Sequence, residues 1–115
     1  MKKQEIIAYL KKVIRIRRRL ISKSKSRNNT LQALADLEHV SINLEANENS
    51  FSPIGLAKFV VRNERRIMNI IPGKDSRNHK ALIKEYHRIR FHCDMILNGR
   101  DEAVPCLNEN QGKTL

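Results

Sequence analysis

Tryptophan is absent from this chain, and only five of its 115 residues are Phe or Tyr. A core without aromatics must be built mainly from Ile, Leu and Val, and stacking platforms for unpaired bases are scarce. Two cysteines, Cys93 and Cys106, cannot make a disulfide scaffold, and their separation matches no zinc knuckle. The expected arrangement is a reduced chain with Cys93 in the core and Cys106 in a tail. Four glycines leave no Gly-rich phosphate loop, and no cofactor is expected. No apolar run approaches the roughly 18 residues of a membrane span. The apolar residues after Lys2 and Lys3 are interrupted by Lys11 and Lys12, and no small-residue cleavage site follows, which reads as a cytoplasmic start rather than a signal peptide.

Acidic residues are also scarce where basic ones are dense. The formal balance is +11, and residues 1–30 alone carry +10, with eleven Lys or Arg against Glu5. Residues 31–57 hold four acids and no base, residues 58–100 return to +7, and the tail from 101 is slightly acidic. A surface so divided attracts polyanions. Hydrophobic residues at 40% and charged residues at 30% belong to a folded domain rather than a disordered basic tail.

Apolar periodicity divides the chain into four helices, over about 4–21, 30–47, 53–71 and 76–97. In the first, Ile6, Leu10, Val13, Ile14, Leu20 and Ile21 share one face, and Arg17 falls at its edge. The second starts after Asn29 or Thr30, either of which can cap, and carries Leu31, Leu34, Leu37, Val40 and Leu44. Its last part, Val40 to Ala46, also alternates as a strand would, but no partner strand is visible. Ser52 followed by Pro53 is a strong start for the third, which buries Leu56, Val60 and Ile67 and ends at Pro72-Gly73. Asn63 lies on that same face and needs a hydrogen-bond partner or the rim. Asp75 or Ser76 can cap the fourth, whose stripe is Leu82, Tyr86, Ile89, Cys93 and Ile96. The fold class expected is all-α, a small and mostly antiparallel four-helix bundle over 1–100, with 101–115 as an arm or tail.

Three basic stripes at helical spacing are the candidate binding residues: Lys11, Arg15, Arg18 and Arg19; Lys58, Arg62, Arg65 and Arg66; and Arg77, Lys80, Lys84 and Arg88. Any one of them is what the wet side of an amphipathic helix looks like. Three in a chain at +11 point to contact with several phosphates at once. The polar stretch Ser22–Asn29 could fit itself to such a backbone. No helix-turn-helix, zinc finger, aromatic RNP-type pattern or GxxG clamp is present, so backbone and shape rather than base sequence would be recognised. The expected function is a non-enzymatic module contacting DNA or RNA. An acidic protein partner is the alternative, and a small ribonuclease using Arg88 and His92 is another. His79, His87 and His92 do not converge on one helix face as a metal site requires. The acids of the second helix, Asp36, Glu38, Glu45 and Glu48, are expected to lie beside the first helix and limit its self-repulsion. Ile16 and Phe91 fall off the main stripes and are candidates for a homodimer contact.

Overall fold

The computed structural model describes residues 2–23 and 31–99. They form five helices: α1 Lys3–Lys23, α2 Leu31–Asn47, α3 Pro53–Arg62, α4 Glu64–Ile70 and α5 His79–Leu97. Among the described residues the all-helical expectation holds, and Val40 to Ala46 is helix, not strand. The candidate caps Asn29 and Thr30, the distal part of the Ser22–Asn29 stretch, and the expected arm or tail at 101–115 lie outside the described residues.

One long helix was expected over 53–71, and two are found. Asn63 is the reason. Its backbone turns to φ −101° and ψ 15°. Its side chain is buried and donates from Nδ2 to the Phe59 carbonyl at 2.9 Å, the same oxygen that accepts from the Asn63 backbone N–H at 3.0 Å. A short amide on a buried face has no water to bond, so it takes the nearest helical carbonyl and bends the turn. The partner that the sequence demanded for Asn63 is therefore its own helix.

The start of α3 follows the sequence closely. Ser52 is the N-cap, its Oγ accepting from the Gly55 backbone N–H at 2.9 Å, with Pro53 in the first turn. Gly55 suits that position: a Cβ there would stand 3.1 Å from the Ser52 hydroxyl oxygen. The last helix begins later than expected, at His79 rather than 76, because residues from Lys74 to Asn78 are taken up by turns. Neither Asp75 nor Ser76 is its cap. Ser76 accepts from the Asn78 backbone N–H at 3.2 Å, and Asn78 makes no side-chain cap of its own.

The core is aliphatic, as a chain poor in aromatics requires. Ile6, Leu10 and Val13 of α1 meet Val40 and Leu44 of α2, Leu56 and Val60 of α3, Ile67 and Ile70 of α4, and Ile89 and Cys93 of α5. Tyr9 joins them unexpectedly; its hydroxyl donates to the Leu82 carbonyl at 2.8 Å, and its ring centroid lies 6.4 Å from that of Tyr86. Leu31 is not a core residue, being 86% exposed, and Leu34 is half-buried. On α2 the buried face instead includes Asp36 and Ser41. Asp36 is 2% exposed, yet both its oxygens are bonded: Oδ1 accepts from Gln32 Nε2 at 2.9 Å and Oδ2 from Asn69 Nδ2 at 2.8 Å.

Side-chain contacts set the helix directions. Lys11 reaches Glu48 just past α2, while Arg18, two turns further along α1, reaches back to Ser41, so α1 and α2 run oppositely. The same holds for α4 and α5. Tyr86 and Arg90 meet Glu64 at the start of α4, and His79 donates from Nδ1 to the Pro72 carbonyl just past its end.

Candidate functional site

α1 carries the densest cations, and its amphipathic spacing decides where they point. Ile6, Leu10, Val13 and Ile14 turn inward, so Lys11, Arg15, Arg18 and Arg19 turn out and are exposed. A groove flanks this ridge on each side. The α1–α2 groove is about 320 Å³ and is lined by Lys11, Arg15, Arg18, Ser41, Glu45 and Glu48 over buried Ile14 and Leu44. The α1–α5 groove is about 440 Å³ and gathers Lys12, Arg15 and Arg88 with Glu5 and Glu85 around Tyr9 and Ile89. Arg15 borders both.

Some of these cations already have partners. Lys11 pairs with Glu48, and Lys12 with Glu85 at 2.8 Å, its ammonium 5.9 Å from the Tyr9 ring centre. Arg18 donates from Nη2 to the buried Ser41 hydroxyl at 2.6 Å. The Lys11–Glu48 pair puts one of the four acids beside α1, while Asp36 faces Arg66 and Asn69 of α4 instead. Arg15 has no acidic partner in ion-pair range among the described residues. At the groove's far rim, the Lys2 backbone N–H, 2.7 Å from the Glu5 carboxylate, holds that carboxyl below its ordinary range, and Arg88 adds to the effect.

The second stripe is split. Lys58, Arg62 and Arg65 are exposed, but the break at Asn63 falls between them. Arg66 turns inward: its Nη1 donates to Asn63 Oδ1 at 3.2 Å and its Nε lies 3.8 Å from the Asp36 carboxylate. It is a structural residue rather than a free cation. In the third stripe Lys80, Lys84 and Arg88 are exposed on α5, and Arg77 sits in the turn before it rather than on the helix. Only Arg88 of these lines a groove shared with α1.

Three basic residues outside the expected set matter. Lys12 is one residue from Lys11 and therefore about 100° round the helix, which turns it toward α5. Arg90 ties two helices together, its Nε 3.0 Å from Glu64 and its Nη1 2.6 Å from Asp94. Arg17, expected to sit at the rim, is 6% exposed. It donates from Nη2 to the Asn69 carbonyl at 2.9 Å, near the C-terminal end of α4, where helical carbonyls lack internal partners. Its Nε has no hydrogen-bond partner, and burial lowers the guanidinium pKa.

The nuclease alternative requires Arg88 and His92 on one accessible surface. Arg88 is exposed, but His92 is 8% exposed and its Nε2 is buried without a partner. No group of three or more His, Cys, Asp or Glu suited to a metal occurs among the described residues. Cys93 is a buried core thiol, pushed from 9.0 up to about 11 by that burial. No helix among the described residues is long and apolar enough to cross a membrane. Compared with known proteins, the chain matches no family model, no curated protein and no solved structure.

Proposed function

We propose that the protein is a non-enzymatic module that grips the sugar-phosphate backbone of nucleic acid with α1, aided by α5. One observation carries this reading: Arg15, on the exposed ridge of α1, and Lys12 beside it line one groove together with Arg88 of a different helix. An isolated wet helix face needs no such convergence. Cations from two elements bordering one groove present a strip on which successive phosphates can each be neutralised. Lys12 becomes available when a phosphate displaces Glu85. In this reading α3 and α4 are one interrupted rod, and the molecule keeps the four-rod plan of an antiparallel bundle. Lys58, Arg62 and Arg65, with Arg77, Lys80 and Lys84, then supply a diffuse field that steers the polymer inward.

The test is binding to single- and double-stranded oligonucleotides across a salt series. Affinity should fall steeply, with a log–log slope of about 0.7 to 0.9 per phosphate neutralised. Arg15→Glu combined with Arg88→Glu should flatten that slope more than Arg62→Glu combined with Arg65→Glu. Binding to an acidic polypeptide with no binding to nucleic acid tighter than about 100 μM at low salt, the weak limit of non-specific association, would sink the reading.

A further inference from the structure

Four of the five Phe and Tyr side chains are buried or partly buried against the core: Tyr9, Phe51, Phe59 and Tyr86. Phe91 is the exception. It is 66% exposed, midway along α5, where a phenyl ring gains nothing from the core. Its position follows from helical phase. Ile89, Cys93 and Ile96 point inward, so residue 91 points out. Its neighbours on that outer face are Lys84 two turns back, His87 one turn back, and Arg88, all exposed. Arg88 lies three residues from Phe91, about 4.5 Å along the axis and about 60° round it. The ring therefore stands beside the one cation of α5 that reaches the α1–α5 groove.

Given the backbone-binding reading above, we infer that the strand taken by the α1–α5 groove is single-stranded and that Phe91 stacks on one of its unpaired bases. A duplex keeps the faces of its bases inside the stack, so an exposed ring offers it little. An unpaired base presents a π-face of any sequence, and a phenyl ring next to a phosphate-binding arginine is positioned to meet it. The surroundings argue against the other use of an exposed ring, pairing with a second copy of the chain. Lys84 and Arg88 flank it, and two copies meeting there would bring these like charges together around the ring. The strand passes with phosphates on Lys12, Arg15 and Arg88 and a base turned outward over Phe91. DNA and RNA share this chemistry.

The absence of tryptophan makes the test direct. In Phe91→Trp the new indole is the sole tryptophan, and stacking should quench its emission on adding oligothymidylate or oligouridylate, but not on adding a duplex of equal length. Phe91→Ala should bind the single strands about 5- to 100-fold more weakly, the range of one base–aromatic stack, with duplex affinity unchanged. Phe91→Leu keeps apolar area without a π-face and should behave as Phe91→Ala does. Sedimentation of the wild type and Phe91→Ala runs beside these titrations. Equal affinity for single strands and duplex, with no quenching and no effect of Phe91→Ala, overturns the inference and leaves the backbone reading standing. A shift in sedimentation on Phe91→Ala overturns it in favour of a subunit contact. Failure of every nucleic acid to bind the wild type removes the backbone reading, and this inference with it. A preference between the two single strands, with quenching, supports the inference and identifies which polymer is held.

Discussion

Arg17 shows how far one side chain can depart from the place its neighbours in sequence assign it. Its stem lies on the apolar face of α1, and the whole residue is covered. No carboxylate lies in ion-pair range of it among the described residues. It holds a charge out of water for one carbonyl bond, with Nε unpartnered. A buried charge so poorly compensated adds little stability, whereas its packed stem adds more. Arg17→Met should therefore unfold at the same or a higher urea concentration than wild type, and Arg17→Ala at a lower one, by about 1 to 3 kcal/mol. A large loss in Arg17→Met would show that the Asn69 carbonyl bond outweighs the desolvation. Cys93 makes a second prediction at a single side chain. Its thiol ordinarily ionises near 9.0 and in the fold near 11, because burial disfavours the thiolate. Below pH 9 both states keep the proton and the contribution is complete. As pH rises from 9 to 11 the unfolded chain loses it first, so stability falls, by about 1.4 kcal/mol per pH unit for each such group. Burial raises Tyr9 and Tyr86 as well, which prolongs the loss at higher pH. Urea midpoints between pH 7 and 11 should decline, and in Cys93→Ala the decline between 9 and 10 should be shallower.

Among the helices, what was legible in the sequence was whatever depends on neighbours three and four residues away. The stripe Leu82–Tyr86–Ile89–Cys93–Ile96 of α5 is buried throughout, and Ser52-Pro53 begins α3 as its chemistry demands. Removing that cap tests it: Ser52→Ala should cost about 1 kcal/mol, read as a lower urea midpoint, because the Gly55 N–H loses its acceptor. What was not legible depends on contacts across the fold. Asn63 reads as one polar residue on an apolar face; that its Nδ2 takes the Phe59 carbonyl and its Oδ1 accepts from Arg66 is decided only once the fold buries it. Asp36 reads as an acid lying beside the first helix and is instead held by Gln32 and Asn69. Of the candidate binding residues, the α1 ridge was legible because amphipathic phase alone exposes it. The inward turn of Arg66 and the meeting of Arg88 with α1 were not, since both need the partner helix in place. Ile16, a candidate for a second interface, packs partly buried on the core, and only Phe91 of that pair is left outside.

For the molecule as a whole, charge sets opposite responses to salt. Within a net charge of +11, Glu48 and Glu85 offset Lys11 and Lys12 of α1. Mutual repulsion of the remaining cations works against the folded state, and salt screens it. The melting temperature should therefore rise between about 10 mM and 0.5 M salt, as the Debye length contracts from about 30 Å to a few ångströms. If the proposed backbone binding holds, affinity for nucleic acid should fall over the same range. A melting temperature that drops with salt would mean that ion pairs such as Arg90 with Glu64 and Asp94 outweigh the repulsion.

The bond from Arg17 to the end of α4 also orders events in time. A guanidinium leaves water only when an acceptor is waiting, and here the acceptor is a carbonyl in the last turn of α4. Docking α1 onto a chain whose α4 is still unwound would strand the charge in an apolar seam. Collapse should then begin with α2, α4 and their shared carboxylate Asp36, with α1 closing afterwards. In folding kinetics, substitutions at Arg17 should act almost wholly on the unfolding rate, with φ near zero, while those at Val40 or Ile67 should slow folding itself.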